Sequence, residues 1–322
     1  MKEVSILSFG KYVPERVVKN EELQNIVDTS DEWISSRTGI RERRLTQGQN
    51  TSELGAEAAK AALKKAELKP EEIDLIIVAT TSPDNFTPST ACLVQAAIGA
   101  TNAFCFDVNA ACSGFLYGLN TATQYIKTGQ CKNALVIGAE VLSKIIDWSD
   151  RNTCVLFGDG AGAAVLVASE TPGIIAVDLG SDGSKGLALT CAAAPLSNML
   201  VKDERKNSYV AMNGKEVFKF ASRVIPDSVE KLLEKTNIPI EEIKYIVPHQ
   251  ANMRIIDSAA KKLNLGIDKF YINLDKYGNT SAASIPIALS EMSEKGLLQK
   301  GDKIIAVGFG GGLTWGAAII EI

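Results

Sequence analysis

Ala62-Leu-Lys-Lys-Ala-Glu-Leu-Lys-Pro-Glu-Glu-Ile-Asp-Leu-Ile-Ile-Val78 returns, 170 positions later, as Leu232-Leu-Glu-Lys-Thr-Asn-Ile-Pro-Ile-Glu-Glu-Ile-Lys-Tyr-Ile-Val247. Leu63 matches Leu233, Lys65 matches Lys235, and Glu71-Glu-Ile73 matches Glu241-Glu-Ile243. Each copy reads as the end of a helix, a polar turn and an apolar strand. A second echo links Lys132-Asn-Ala-Leu-Val-Ile-Gly138 to Lys303-Ile-Ile-Ala-Val-Gly308, and each half closes on a Gly-Ala-Ala strand, at 162–167 and 316–320. One shared helix–turn–strand is common; two echoes in the same order identify a duplicated fold. The halves are expected over residues 1–170 and 171–322.

Between the echoes, strands read as short continuous apolar runs, as in a parallel sheet covered on both faces. The clearest are 73–79, 134–139, 163–168, 304–307 and 317–322. Residues 51–66 read as a helix, with Asn50 and Glu53 in capping-box relation. Residues 114–127 read as another, with Phe115, Leu116, Leu119, Ala122 and Ile126 along one face. The alternation gives an α/β architecture. The halves differ in one respect: about a dozen extra residues, 141–157, separate the paired strands of the first. They include Asp147-Trp-Ser-Asp-Arg151, which suits a binding loop.

The 322 residues are 46% hydrophobic and 22% charged, the balance of a folded chain rather than a disordered one. With 34 basic and 38 acidic residues the net charge is −4, which argues against general nucleic-acid binding. The six cysteines show no C-x-x-C spacing, so neither a zinc knuckle nor a dithiol motif is supported. The single histidine, His249, excludes mechanisms or metal sites that need two from one chain. The N-terminal apolar run is too short for a signal peptide and no stretch reaches a spanning length, so a cytoplasmic protein without membrane insertion is expected.

Three residues stand where this architecture collects ligands. Cys112, in Phe106-Asp-Val-Asn-Ala-Ala-Cys-Ser-Gly-Phe115, precedes the helix 114–127. There the helix N-terminus favours thiolate over thiol, though a packing cysteine would also fit. His249, in Val247-Pro-His-Gln-Ala-Asn252, follows a strand at the carboxyl edge of the sheet. Asn279, in Asp275-Lys-Tyr-Gly-Asn-Thr-Ser281, lies 167 positions after Cys112, so duplication is expected to bring the two helix starts together. A turn or cap role would equally suit Asn279. The glycine-rich Gly308-Phe-Gly-Gly-Gly-Leu-Thr-Trp-Gly316 leads into a strand and fails G-x-G-x-x-G at Leu313, so it is not a dinucleotide fingerprint. Its backbone N–H groups could still face an oxyanion.

Taken together, Thr29-Ser-Asp-Glu-Trp-Ile-Ser-Ser-Arg-Thr-Gly-Ile40, the Cys112 segment, Pro248-His-Gln-Ala-Asn252, Tyr277-Gly-Asn-Thr-Ser281 and Gly310-Gly-Gly-Leu-Thr-Trp-Gly316 resemble the β-ketoacyl-acyl-carrier-protein synthase III family of the thiolase superfamily. The resemblance covers essentially the whole chain. It implies a homodimer of five-layered αβαβα thiolase-fold subunits and a catalytic triad of Cys112, His249 and Asn279. The reaction it implies is acyl transfer from acyl-CoA to Cys112, then decarboxylative condensation with malonyl-acyl-carrier-protein. No metal or redox cofactor is implied. The backbone N–H groups of Cys112 and Gly311 would form the oxyanion hole, and Trp33, Arg37 and Arg151 would contact CoA. Arg254, with Lys261 and Lys262 on the same helix face, would dock acyl carrier protein. Phe86, Thr87 and Phe309 would line the acyl pocket, Thr87 standing where several relatives carry Phe. One histidine excludes the Cys-His-His elongating synthases, and no cysteine after Cys191 excludes degradative thiolases. A short polyketide starter enzyme and an inactive acyl-CoA-binding relative are the remaining rivals.

Overall fold

The computed structural model describes residues 2–203 and 209–322. Its principal elements are β1 (Glu3–Tyr12), α1 (Thr51–Ala66), β2 (Leu75–Ala79), α2 (Thr90–Ile98), β3 (Phe104–Val108), α3 (Gly114–Lys127), β4 (Asn133–Glu140) and β5 (Gly160–Ser169). The second half follows as β6 (Ile174–Ser181), α4 (Gly214–Thr236), β7 (Ile243–Pro248), α5 (Met253–Lys262), α6 (Ser284–Glu294), β8 (Lys303–Gly310) and β9 (Thr314–Glu321).

The strand orders are β1-β5-β4-β2-β3 in one sheet and β7-β8-β9-β6 in the other. Read in the same direction, β6, β9, β8 and β7 repeat β1, β5, β4 and β2. The counterpart of β3 is reduced to one parallel bridge, Ile246 to Phe270, where β2 and β3 pair over five residues. Both sheets are mixed: β2 runs parallel to β3 and β4, and β7 to β8, whereas β5 and β9 are antiparallel to their neighbours. The sequence suggested parallel sheets because its apolar runs are continuous. Continuity reports that both faces are covered, and here helices cover them whatever the strand direction.

Neighbouring residues of one strand show this directly. Leu75 and Ile77 of β2 pack inward with Val136, Phe115 and Leu119, while Ile76 and Val78 pack outward with α1 and α2. In the second sheet Ile304 and Ala306 face the same inner core, and Ile305 and Val307 face α4 and α5. The inner core also holds Ile285, Leu289 and Met292 of α6. The layers are thus α1/α2, the first sheet, α3/α6, the second sheet and α4/α5. This is the expected five-layered α/β thiolase arrangement.

Helices α1 and α3 have the bounds read from the sequence, and α1 has clear local start and stop chemistry. The Asn50 and Glu53 side chains form the capping box of α1, and Glu67 ends it in the left-handed conformation. The first predicted strand starts two residues late, at Leu75, because Ile73 still closes the Pro70–Glu72 turn through a 3.1 Å bond to Pro70 O. Among the described residues no helix is long and apolar enough to cross a membrane.

Candidate active site

The two central helices begin alike. A one-turn helix, Ala111–Ser113, leads into α3, and another, Ser281–Ala283, leads into α6. Ala111 (φ 48°) and Ser281 (φ 50°) both adopt the left-handed conformation rare for non-glycine residues. Asn109 Oδ1 accepts the Ala111 N–H at 3.2 Å, and Asn279 Oδ1 accepts the Ser281 N–H at 2.8 Å. The structural mate of Asn279 is therefore Asn109, and that of Cys112 is Ala282. Duplication does bring the two starts together, as expected, with Asn279 standing three residues before the counterpart of Cys112.

Close approach across the pseudo-twofold needs glycine at two places. A Cβ on Gly138 would lie 2.2 Å from Ala282 O, and one on Gly310 would lie 2.6 Å from Cys112 N. Thr314 Oγ1 then ties the β8–β9 hairpin to the Cys112 turn, donating to Ala110 O at 2.8 Å. Asn279 is held from the first half: its N–H donates to Leu156 O (2.8 Å) and its carbonyl accepts from Gly158 N (3.0 Å). The extra segment of the first half thus ends against Asn279.

Cys112, His249 and Asn279 line one cavity of about 610 Å³, together with Phe309 and Gly311. Leu142, Ile145, Leu156 and Phe157 of the segment 141–157 form one part of its apolar wall, and Leu189, Val210, Met212, Val217, Phe218 and Ile255 of the second half form another. Phe309 packs edge-on to the His249 ring at 5.2 Å.

Hydrogen bonding orients both polar members. Ser284 Oγ lies 2.7 Å from His249 Nδ1 and accepts the Gln250 N–H at 3.4 Å, and we assign its own proton to Nδ1. That places the ring proton on Nε2. Burial lowers the His249 pKa to about 3, and the ring is neutral at physiological pH. Asn279 uses Oδ1 on Ser281, which leaves its amide N–H groups as the available donors. Burial pushes the Cys112 thiol up to about 12; a hydrogen bond from Ser281 works the other way, and Glu140 raises it further. The lowering expected of a helix start is outweighed by loss of water around the sulfur.

The CoA-binding candidates also meet. The Arg37 and Arg151 guanidinium carbons lie 4.6 and 4.8 Å from the Trp33 ring centre, and Arg151 Nη1 donates to Asp28 O at 2.8 Å. The buried Arg43 links this corner together, donating to Val18 O, Asn20 Oδ1 and Val155 O. Arg254, Lys261 and Lys262 are exposed on α5, whose Ile255, Ile256, Ala259 and Ala260 are buried. Arg254 Nη2 donates to Ser36 O at 3.1 Å, so this surface adjoins the Trp33 helix.

Phe86 and Thr87 do not join the cavity of their own chain. They lie in an exposed loop, Phe86 at 82% exposure, anchored by Asp84 to the start of α1 through Ser52. Of the expected acyl-pocket residues only Phe309 lines it. Sequence reasoning passed over Ser284, Ser281 and Glu140, whose roles depend on partners far away in the chain. The one available signal was the 170-residue repeat, which sets Ser281 opposite Ala111 and Ser284 opposite Gly114.

A buried thiol, a neutral imidazole donor and an amide donor on one cavity, in a duplicated five-layered α/β fold, define a thiolase-fold condensing enzyme. Comparison with known proteins narrows this. Residues 106–183 match the family model described as 3-oxoacyl-[acyl-carrier-protein] synthase III, and residues 233–322 match its C-terminal counterpart. The β-ketoacyl-[acyl-carrier-protein] synthase III of Clostridium acetobutylicum is 60% identical over 100% of this chain and 99% of its own; that of Clostridium novyi is 59% identical over the same shares. The crystal structure of 3-oxoacyl-[acyl-carrier-protein] synthase III from Aquifex aeolicus superposes with a TM-score of 0.92 at 47% identity, covering 99% of this chain and all of that one. The chain belongs to the 3-oxoacyl-[acyl-carrier-protein] synthase III family.

Proposed function

We propose that this chain is the initiating condensing enzyme of type II fatty acid synthesis, an acyltransferase in which Cys112, His249 and Asn279 carry the chemistry. Cys112 attacks an acyl-CoA thioester and retains the acyl group while CoA leaves. The Cys112 and Gly311 N–H groups hold the tetrahedral oxyanion. Malonyl-acyl-carrier-protein then loses CO2, and His249 Nε2–H and an Asn279 amide N–H donate to the enolate oxygen. The carbanion attacks the acyl-cysteine and releases a β-ketoacyl-acyl-carrier-protein. Neither half-reaction calls for a metal or redox cofactor.

The observation that carries this reading is the disposition of the two donors. Ser284 leaves the His249 proton on Nε2 and Ser281 leaves the Asn279 N–H groups free, so a pair of uncharged donors serves an oxygen that becomes negative. Trp33 with Arg37 and Arg151 is proposed to hold the CoA adenine, since planar aromatic and guanidinium faces stack on a base. Arg254, Lys261 and Lys262 are proposed as the docking face for acidic carrier protein on a chain of net charge −4. A homodimer is proposed as well, supported by the unpaired edge of β3 and the exposed Phe86. The halves are taken to meet between β5 and β6, at residues 170 and 171.

The test is the intact mass of the protein after incubation with a panel of acyl-CoAs. A stable acyl adduct on Cys112, lost in Cys112→Ala, is expected. No adduct with any acyl-CoA would sink the reading, and the same panel ranks acetyl, branched and longer primers.

A further inference from the structure

One buried cation beside the site has no part in the chemistry above. Arg43 stands in the strand Glu42–Arg44, which pairs with Val17–Lys19, and it is fully buried. Burial lowers its pKa to about 10, so the guanidinium stays charged at neutral pH. Its hydrogen bonds among the described residues go to neutral oxygens. Nη1 donates to Val18 O at 3.2 Å and to Asn20 Oδ1 at 2.8 Å, and Nη2 donates to Val155 O at 2.8 Å. A cation held in this way loses its hydration without the return of an ion pair. What the three bonds supply is a rigid planar fork between two parts of the chain.

The far end of the fork is the clasp that holds Asn279. Val155 is followed by Leu156, whose carbonyl accepts the Asn279 N–H at 2.8 Å, and Gly158 N donates to the Asn279 carbonyl at 3.0 Å. The Arg43 stem lies under the same clasp. A Cβ on Gly158 would lie 3.1 Å from Arg43 Cβ, and one on Gly278 would lie 3.4 Å from it. Arg44 O accepts the Asp159 N–H at 2.8 Å, so the strand of Arg43 grips the segment 155–159 at both ends. The near end of the fork is fixed as well. Asn20 Nδ2 donates to Asp31 Oδ1 and to Ile40 O, both at 2.8 Å, and Asp31 starts the helix Asp31–Thr38 that carries Trp33 and Arg37. Asn279 Oδ1 is bonded locally, to Ser281 N, so the aim of its amide donors follows the placement of this backbone.

We propose that Arg43 is a positioning residue for Asn279, holding its amide donor, through Val155, where the enolate oxygen of the proposed reaction forms. The tie through Asn20 and Asp31 makes the Trp33 helix the frame against which that donor is set. Cys112 and His249 stand on other supports: Thr314 ties the Cys112 turn, and Val307 O accepts the His249 N–H at 2.8 Å. Loss of the fork therefore falls on decarboxylation and spares acylation.

The inference rests on the proposed role of Asn279 in decarboxylation, so its test pairs activity with a readout that needs no substrate. Arg43→Lys keeps the charge and removes the fork, and Arg43→Met keeps an unbranched stem and buries no charge. In either variant decarboxylation of malonyl-acyl-carrier-protein should fall about tenfold in kcat with KM unchanged, while acylation of Cys112 stays within about twofold. In an Asn279→Ala background the same change should add a loss of less than about twofold, because the donor that Arg43 places is gone. Hydrogen exchange of residues 155–159 and 277–281, followed by mass spectrometry, should be about tenfold faster in the variants and unchanged around Cys112. Equal loss of both half-reactions, a tenfold loss that persists in the Asn279→Ala background, or wild-type exchange in the clasp overturns the proposal. If Arg43→Lys fails to fold, Arg43→Met decides. Wild-type protein that leaves malonyl-acyl-carrier-protein intact, while the variants still loosen the clasp, would refute the role of Asn279 and leave its positioning by Arg43 standing.

Discussion

Ser284→Ala isolates the bond that sets the His249 tautomer. Ser284 Oγ sits 2.7 Å from Nδ1 and also accepts the Gln250 N–H at 3.4 Å. Deleting the hydroxyl removes one buried hydrogen bond of about 1–1.5 kcal/mol and with it that much preference for Nε2–H. Since about 1.4 kcal/mol is tenfold in a population or rate, decarboxylation of malonyl-acyl-carrier-protein should fall about tenfold. Acylation of Cys112 should stay within about twofold of wild type. The chain has one histidine, so the ring-nitrogen NMR spectrum of histidine-labelled protein belongs to His249 alone. Wild type should show the neutral Nε2–H form from pH 5 to 8, and Ser284→Ala a shift toward Nδ1–H. A ring that titrates near 6.5, or a wild-type proton on Nδ1, would refute the reasoning.

The same burial predicts a pH effect on stability. The His249 pKa is about 3 folded against about 6.5 unfolded, so falling pH protonates the unfolded chain first. This stabilisation is present above 6.5 and is lost as pH falls, by about 2 kcal/mol between pH 7 and 5. Burial raises Glu140 and Asp159, which act with the opposite sign, so the measure is the difference in denaturant stability between wild type and His249→Asn at the two pH values. Asn279→Ala should still acylate but lose about 10²–10³ in decarboxylation, followed by CO2 release. Arg254→Glu should raise KM for malonyl-acyl-carrier-protein about tenfold, measured by steady-state kinetics, and leave acylation by acyl-CoA intact. Gly138→Ala sets a Cβ 2.2 Å from Ala282 O and should cost about 3 kcal/mol or more in denaturant unfolding.

Much of this was legible in the chain. The Glu-Glu-Ile echo located β2 and β7, and the caps of α1 set its ends. β1 was not read as a strand, because Glu3–Tyr12 mixes Ser5, Ser8 and Lys11 with its apolar residues and is only partly covered. Strand direction was misread because covered faces look alike in either direction. Cys112, His249 and Asn279, which line one cavity, were singled out from local context, since each lies in a connection that leads into a helix. Glu140 and Ser281 were not, because an acid after Val136-Ile-Gly-Ala and a serine after Asn-Thr look like surface positions until the halves close on each other. Phe86 and Thr87 were placed in the pocket by resemblance, whereas the loop that carries them is tied to α1 and neither residue lines the Cys112 cavity of its own chain.

The most direct measurement follows the carrier protein itself. Malonyl-acyl-carrier-protein incubated with an acyl-CoA and catalytic amounts of this protein should change in mass to the β-ketoacyl form, with release of one CO2 and one CoA. Cys112→Ala should give none. A carrier protein that keeps its malonyl mass with every acyl-CoA offered, or a product formed equally well by Cys112→Ala, would contradict the assignment of this cavity as a condensing site.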